Sequence, residues 1–246
     1  KVISNYINFF KDSKNVKFVL PFDYSNNIHL QSTNFKKKNF LKNFSIAKKY
    51  KIIRLLNKRK TISYIKNSKY DILQLSYMDL EYLKINTKPC VGVIHDLIPE
   101  KNSKYFKNIN LYIKNKKLFI NNLDHVIAVS NETKKDIINY YQVNKDKITV
   151  IYNSIFIKKR KTVKLPKQFL LYVGNRHGYK HFKTLMNILP KITKKTSYKL
   201  ICAGGEKISD EEKNYIIKHG LEKKIIFQNF SDEELNYVYL KASCLV

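Results

Sequence analysis

Acidic side chains are scarce in this sequence: 19 Asp plus Glu stand against 48 Lys plus Arg, a formal charge of +29 over 246 residues. Such a balance attracts phosphates, nucleic acid or acidic lipid headgroups without choosing among them. Arginine is scarce as well, confined to Arg54, Arg59, Arg160 and Arg176. Base-edge reading draws on the planar Arg fork, so sequence-specific nucleic-acid recognition is disfavoured. Lys, Asn, Ile and Tyr dominate, as they do when an AT-rich genome biases codon usage, which offers a compositional origin for part of the basicity. The three cysteines, Cys90, Cys202 and Cys244, are widely spaced in or beside apolar runs. That excludes a disulfide framework and a CxxC metal site, and reads as small buried hydrophobes in a reducing compartment. No apolar run approaches the ~20 residues that span a bilayer, and no charged-then-apolar leader opens the chain. A soluble, cytoplasmic protein is expected. Lys1 is not Met, and Val246 falls inside an apolar run of strand character, so both ends are expected to be truncations.

What is present describes a packed protein. Hydrophobic residues make up 43% and aromatics 13%, which argues against disorder. The length suits one large domain or two of ~100 to 150 residues. Short β-branched apolar runs alternate with longer amphipathic ones, the pattern of an α/β fold with a parallel sheet flanked by helices. Strands are predicted at 17–20, 72–75, 90–94, 125–129 and 149–152. Helices are predicted at 2–10, 40–51, 60–65, 109–121 and 132–141, with a polar loop over 23–38. Between Asn153 and Lys167 the chain turns Lys-rich and loses its period before a fresh apolar run at 169–173. The predicted domains are therefore 1–155 and 168–246, joined by a linker at 156–167. The second half reads as strand 169–173, helix 181–194, strand 198–203, helix 210–218, strand 225–227, helix 232–241 and a strand starting at Cys244. Ser209 to Glu212 and Ser231 to Glu234 both fit the capping box, so their acidic clusters are read as helix starts rather than catalytic pairs. No Asp-x-Asp closes an apolar strand, which leaves a metal-bound diphosphate without evident ligands; no metal and no cofactor are expected.

Three segments carry chemistry. Val91 to Pro99 holds an apolar strand that ends in His95 and Asp96 and is stopped by Pro99, which places His95 and Asp96 where ligands sit in open α/β sheets. Val173 to His181 is a strand-to-helix turn in which Gly174 and Gly178 permit close backbone approach while Arg176 and Lys180 bring positive charge; together they suit a diphosphate. It is neither GxGxxG nor a P-loop. Gly204 and Gly205 follow the next strand and leave room for a nucleotide or make a plain turn.

The segments His95-Asp-Leu-Ile-Pro99, Asp124 to Ser130, Lys147 to Asn153, Tyr172-Val-Gly-Asn-Arg176 with Tyr179-Lys180, and Ser231 to Leu235 with Tyr239 and Ala242 stand in the order and spacing of the GT-B glycosyltransferases. From about residue 70 onward the chain resembles the large retaining family, group 1 or family 4, of bacterial lipopolysaccharide, capsule and exopolysaccharide synthesis. The resemblance implies two Rossmann-like domains facing each other across a cleft, with the acceptor on the first and the sugar nucleotide on the second. It implies that Arg176 and Lys180 bind the donor diphosphate without a metal, that His95 lies against the transferred sugar, and that Ser130 and Asn153 line the cleft. The family continues beyond the strand at Cys244 into a Pro-Ser turn and a loop with two glutamates, and it carries a Gly-rich loop near its start. Neither is in this chain, so the fragment alone is expected to be inactive, and His181 stands where Gly or Asn commonly follows the Lys.

The expected function is hexosyl transfer from a nucleotide-diphosphate sugar to a glycan or lipid-linked acceptor at the cytoplasmic face of a membrane. Lys-rich stretches such as 36–51 and 108–117 suit peripheral contact with anionic lipid or a merely solvated face. Two other readings remain at this point: a non-enzymatic basic protein that binds nucleic acid or membrane, and a GT-B sugar-nucleotide epimerase.

Overall fold

The computed structural model describes residues 13–25, 30, 49–67, 69–75, 78–153 and 160–246. The predicted helices at 2–10 and most of 40–51, most of the loop at 23–38, and the start of the linker lie outside these residues. The chain divides into two units, Lys1–Asn153 and Ser154–Val246. Both are Rossmann-like: each holds a four-stranded, wholly parallel sheet with helices between the strands.

In the first unit the order is α1 (Lys49–Lys66), β1 (Leu73–Leu75), α2 (Leu80–Ile85), β2 (Cys90–Ile94), α3 (Ile98–Lys101), α4 (Ile109–Asn121), β3 (His125–Ala128), α5 (Asn131–Tyr141) and β4 (Ile148–Val150). The strands lie in sequence order, β1-β2-β3-β4. The core gathers Cys90 and Ile94 of β2, Val126 and Ala128 of β3, Phe119 and Ile120 of α4 and Ile137 of α5. Gly92 sets the approach of α4 to β2: a Cβ there would run into Leu123 and come within 3.0 Å of the Phe119 ring.

The helix expected at 60–65 is the end of α1, which runs unbroken from Lys49 to Lys66, and two further expectations differ here. Lys17–Leu20 joins neither sheet. A short β-branched run forms a strand only where a ladder receives it, and the residues just beyond this one are tied to α1: Thr61 donates its hydroxyl to the Pro21 carbonyl at 3.2 Å and the Asn57 amide donates to the Tyr24 carbonyl at 2.7 Å. Pro99 does not end β2, which stops at Ile94; it stands in the first turn of α3, where its missing N–H costs no intrahelical bond.

The second unit runs β5 (Phe169–Val173), α6 (Phe182–Lys195), β6 (Lys199–Ala203), α7 (Asp210–Lys218), β7 (Ile225–Gln228), α8 (Asp232–Lys241) and β8 (Cys244–Leu245). Its strand order is β7-β6-β5-β8, so the chain winds outward from β5 in both directions. Alternation along β5 follows from this double winding. Tyr172 packs with Phe182, Met186 and Ile216 on the side of α6 and α7, while Phe169 and Leu171 pack with Val238 of α8. Both predicted capping boxes form, Ser209 with Glu212 and Ser231 with Glu234. Pro190 lies inside α6, and the Met186 carbonyl that its ring deprives of a donor accepts from the Tyr215 hydroxyl at 3.4 Å. Among the described residues, no helix is long and apolar enough to cross a membrane.

Candidate functional site

The winding of the second unit selects where a ligand belongs. In open parallel sheets ligands occupy the crevice outside the carboxyl ends of the strands, where the order reverses. Here that point is the carboxyl end of β5, between β6 and β8. The turn that leaves it begins with Gly174 at φ 115°, whose N–H donates to the Ala203 carbonyl of β6 at 2.9 Å. A side chain at Gly174 would collide with the Lys180 ammonium, which lies over the turn and donates to the Val173 carbonyl at 3.3 Å. Lys180 is exposed. After β6, Gly204 and Gly205 adopt φ 80° and 86°, conformations that favour glycine. A Cβ at Gly205 would come within 3.0 Å of the Gly174 carbonyl and 2.9 Å of an Arg176 nitrogen. Gly174, Gly205, Arg176 and Lys180 are thus brought together at one end of the sheet.

The two cations are placed differently. Where both were expected to meet a diphosphate, the Arg176 side chain is only 2% exposed and its guanidinium is occupied by the protein. Nε donates to Glu212 Oε1 at 2.8 Å, and Nη2 donates to the carbonyls of Glu206 at 2.8 Å and Lys207 at 3.3 Å and to Glu212 Oε2 at 3.3 Å. Nη1 reaches the Gly204 carbonyl at 3.5 Å, and the group lies 5.0 Å from the Phe227 ring centre. A buried guanidinium requires acceptors, and residues 204–212 supply carbonyls and a carboxylate to its three nitrogens. The hydrogen bond with Glu212 holds Arg176 above its usual range. Burial pushes the Glu212 carboxyl up, but hydrogen bonds from Arg176 and from the Ser209 amide outweigh it and leave the group below its ordinary value.

In the first unit His95 and Asp96 are exposed beyond β2 and held through their backbone. The His95 carbonyl accepts from the Thr133 hydroxyl at 3.2 Å and the Asp96 carbonyl from Lys116 Nζ at 2.8 Å. The Asp96 carboxylate accepts the Ile98 N–H at 3.0 Å, which closes the turn into α3. Ser130 caps α5, accepting from the Thr133 N–H at 3.0 Å, so Ser130 and His95 share Thr133 as a neighbour. Asn153 is exposed just past β4 and is not joined to this group by any of these bonds.

Sequence reasoning missed the buried charged group that is bonded to the Asp96 carbonyl through Lys116. Lys116 Nζ lies 2.7 Å from Glu100 Oε1, with side chains 4% and 0% exposed, and Tyr141 donates its hydroxyl to the same oxygen at 2.5 Å. A signal existed: Lys116 falls on the apolar stripe formed by Ile113 and Ile120, where a lysine needs a partner. It also subtracts one charge from the 108–117 face, on which Lys114 and Lys117 remain exposed.

The sequence matches two family models in succession, Glycosyltransferase Family 4 over residues 36–158 and Glycosyl transferases group 1 over residues 153–246. The uncharacterized glycosyltransferase MJ1607 of Methanocaldococcus jannaschii is 26% identical over 137 residues, covering 49% of this chain and 35% of the relative. The chain thus spans about a third of the curated relative it matches. Among solved structures, the lipopolysaccharide outer core galactosyltransferase WaaB superposes with a TM-score of 0.60 at 18% identity, over 99% of this chain and 68% of that one. HepE of Anabaena, in complex with UDP-glucose, gives 0.57 at 16%, over 78% and 56%. A point mutant of S. aureus TarM, solved with fondaparinux, alpha-GlcNAc-glycerol and UDP, gives 0.51 at 18%, over 72% and 37%. At these identities the structures show a shared fold, that of the two-domain GT-B enzymes. The first family model covers half of the chain and the second continues to Val246, and by those matches the chain belongs to glycosyltransferase family 4, group 1 of the glycosyltransferases.

Proposed function

We propose that this chain supplies the acceptor-side unit and much of the donor-binding unit of a glycosyltransferase that moves a hexose from a nucleotide-diphosphate sugar to a glycan or lipid-linked glycan, with retention at the anomeric carbon. The observation that carries the reading is the meeting of Gly204 and Gly205 with Gly174, over which the exposed Lys180 lies, at the carboxyl end of β5. Backbone without side chains admits a diphosphate closely, and the ammonium offsets the charge that grows on the leaving group. No step of this reading calls for a metal. In the reaction the bond from the anomeric carbon to the diphosphate oxygen breaks, the bond to the acceptor oxygen forms on the same face, and the acceptor proton passes to the departing phosphate. His95 and Asp96, at the end of β2, with Ser130 and Asn153, are assigned to the sugar and acceptor side. UDP is the first nucleotide to try, since HepE and TarM were solved with UDP-glucose and UDP.

Calorimetric titration of uridine and guanosine diphosphates into the full-length protein tests the assignment, with Lys180→Ala alongside. A charge-assisted contact contributes about 1.5–3 kcal/mol, so the variant is expected to bind on the order of 10- to 100-fold more weakly. Failure of both nucleotides to bind refutes the donor site; equal binding by parent and variant removes Lys180 from it.

A further inference from the structure

The Arg176–Glu212 pair is shaped to hold a loop. Arg176 departs from the turn after β5, yet its guanidinium ends among residues 204–212, bonded to three backbone carbonyls and both oxygens of Glu212. Glu212 in turn belongs to the first turn of α7, where its Oε2 accepts the Ser209 N–H at 2.8 Å and its own N–H donates to Ser209 Oγ at 3.1 Å. One ion pair therefore fixes the start of the loop, at Gly204, and its end, at Ser209. Nη1 of the guanidinium packs 2.9 Å from where a Gly205 side chain would stand, beside the Gly174 carbonyl. The consequence is that the two glycine turns at the carboxyl ends of β5 and β6 are locked to each other from inside the protein.

We infer that Arg176 and Glu212 are positioning residues for the donor site, holding the Gly204–Gly205 turn against Gly174 so that the backbone that receives the diphosphate is in place before the ligand arrives. The inference rests on the donor-site reading above. It assigns Lys180 to the ligand and Arg176 to the loop, and the difference follows from chemistry: a rigid fork can tie several carbonyls and a carboxylate at once, whereas an ammonium is a single point of charge. A loop ordered in advance binds more tightly because its freedom is not lost on binding.

The test is calorimetry with uridine diphosphate on the full-length protein, or guanosine diphosphate if that is what the parent binds, for Arg176→Lys, Glu212→Gln and the double variant. Titrations are run well below each melting midpoint, where a purely structural role leaves affinity unchanged. Each single variant is expected to weaken binding by about 10-fold or more, and the double variant no further than the weaker single, because the two side chains act as one unit. Amide exchange read by mass spectrometry is expected to quicken in the 204–209 segment of the unliganded variants, to leave β5 and β6 unchanged, and to slow again when nucleotide saturates the site. Glu212→Gln is close to isosteric and keeps an acceptor for the capping box, so it tests the inference even if Arg176→Lys does not fold. Full affinity in Glu212→Gln beside a loss in Arg176→Lys would mean direct phosphate contact by Arg176 and would overturn the inference, as would losses that add in the double variant. If the parent binds and neither single variant differs from it, the inference fails and the donor site stands. If the parent binds neither nucleotide, the donor site fails and takes the inference with it.

Discussion

Replacing Lys116 with Met is expected to loosen the first unit severely. The substitution keeps the length of the side chain but strands the Glu100 carboxylate, which is 0% exposed and bonded on one oxygen by Lys116 at 2.7 Å and Tyr141 at 2.5 Å. Removing one partner of a buried ion pair costs about 3–5 kcal/mol, because the remaining charge stays in a poor solvent. The Asp96 carbonyl loses its donor as well. A chain of two units need not unfold in one step, so a single melting midpoint would blur the effect. Amide exchange by mass spectrometry separates the units, with β5 and β6 as the reference for β2 and β3. At about 1.4 kcal/mol per tenfold, the slowest amides of β2 and β3 should exchange about two to three and a half orders of magnitude faster in Lys116→Met. The double variant Lys116→Met/Glu100→Gln removes both charges while leaving Tyr141 an acceptor, and it should recover most of the loss. Acceleration of less than about tenfold in the single variant, or no recovery in the double, would refute the idea that an uncompensated charge is the cause.

The Glu212 carboxyl sits below its ordinary value in the folded protein, so the clasp with Arg176 contributes its full stability above the unfolded glutamate value, about 4.3, and loses it as pH falls through the lower folded value. The pH dependence of 204–209 amide exchange, corrected for intrinsic rates, should therefore be flat above about pH 5 and rise below it, and should flatten in Glu212→Gln. Burial pushes the Cys90 thiol up to about 11 and the Cys202 thiol to about 12, whereas Cys244 is exposed. Iodoacetamide at about pH 8 should label Cys244 alone in the native protein and all three cysteines after denaturation, as read by peptide mass.

Those elements whose causes are local were legible in the sequence, and those whose causes are distant were not. The strand at 169–173 and the helices at 210–218 and 232–241 appear at their predicted bounds, because an apolar run and a Ser-to-Glu capping box act within four residues of each other. Helix α2, only six residues long, escapes sequence reasoning: its cap, Asp79, bonds the amides of Glu81 and Tyr82 but precedes too short a stretch for a helical period to show. The run expected as a strand at 17–20 has suitable residues but joins neither of the two sheets, and the chain just beyond it, at Pro21, is held by Thr61 of α1, about 40 residues away. The site divides along the same line. Lys180 bonds a carbonyl seven residues back, within its own turn, so its place over Gly174 follows from the turn itself. Arg176 finds acceptors 28 to 36 residues onward, and nothing between Val173 and His181 reveals that it will turn inward. Glu212 is half of a capping box, as its spacing from Ser209 predicts, and that role conceals its second bond, since a carboxylate has two oxygens and a cap uses one of them. A positive charge in a glycine turn after a parallel strand is thus an incomplete argument for a ligand. It becomes sufficient only when the carboxylates within reach are accounted for, here Glu212 on α7 beyond the next strand, because a guanidinium that meets one in a buried, bidentate pair has those donors already occupied.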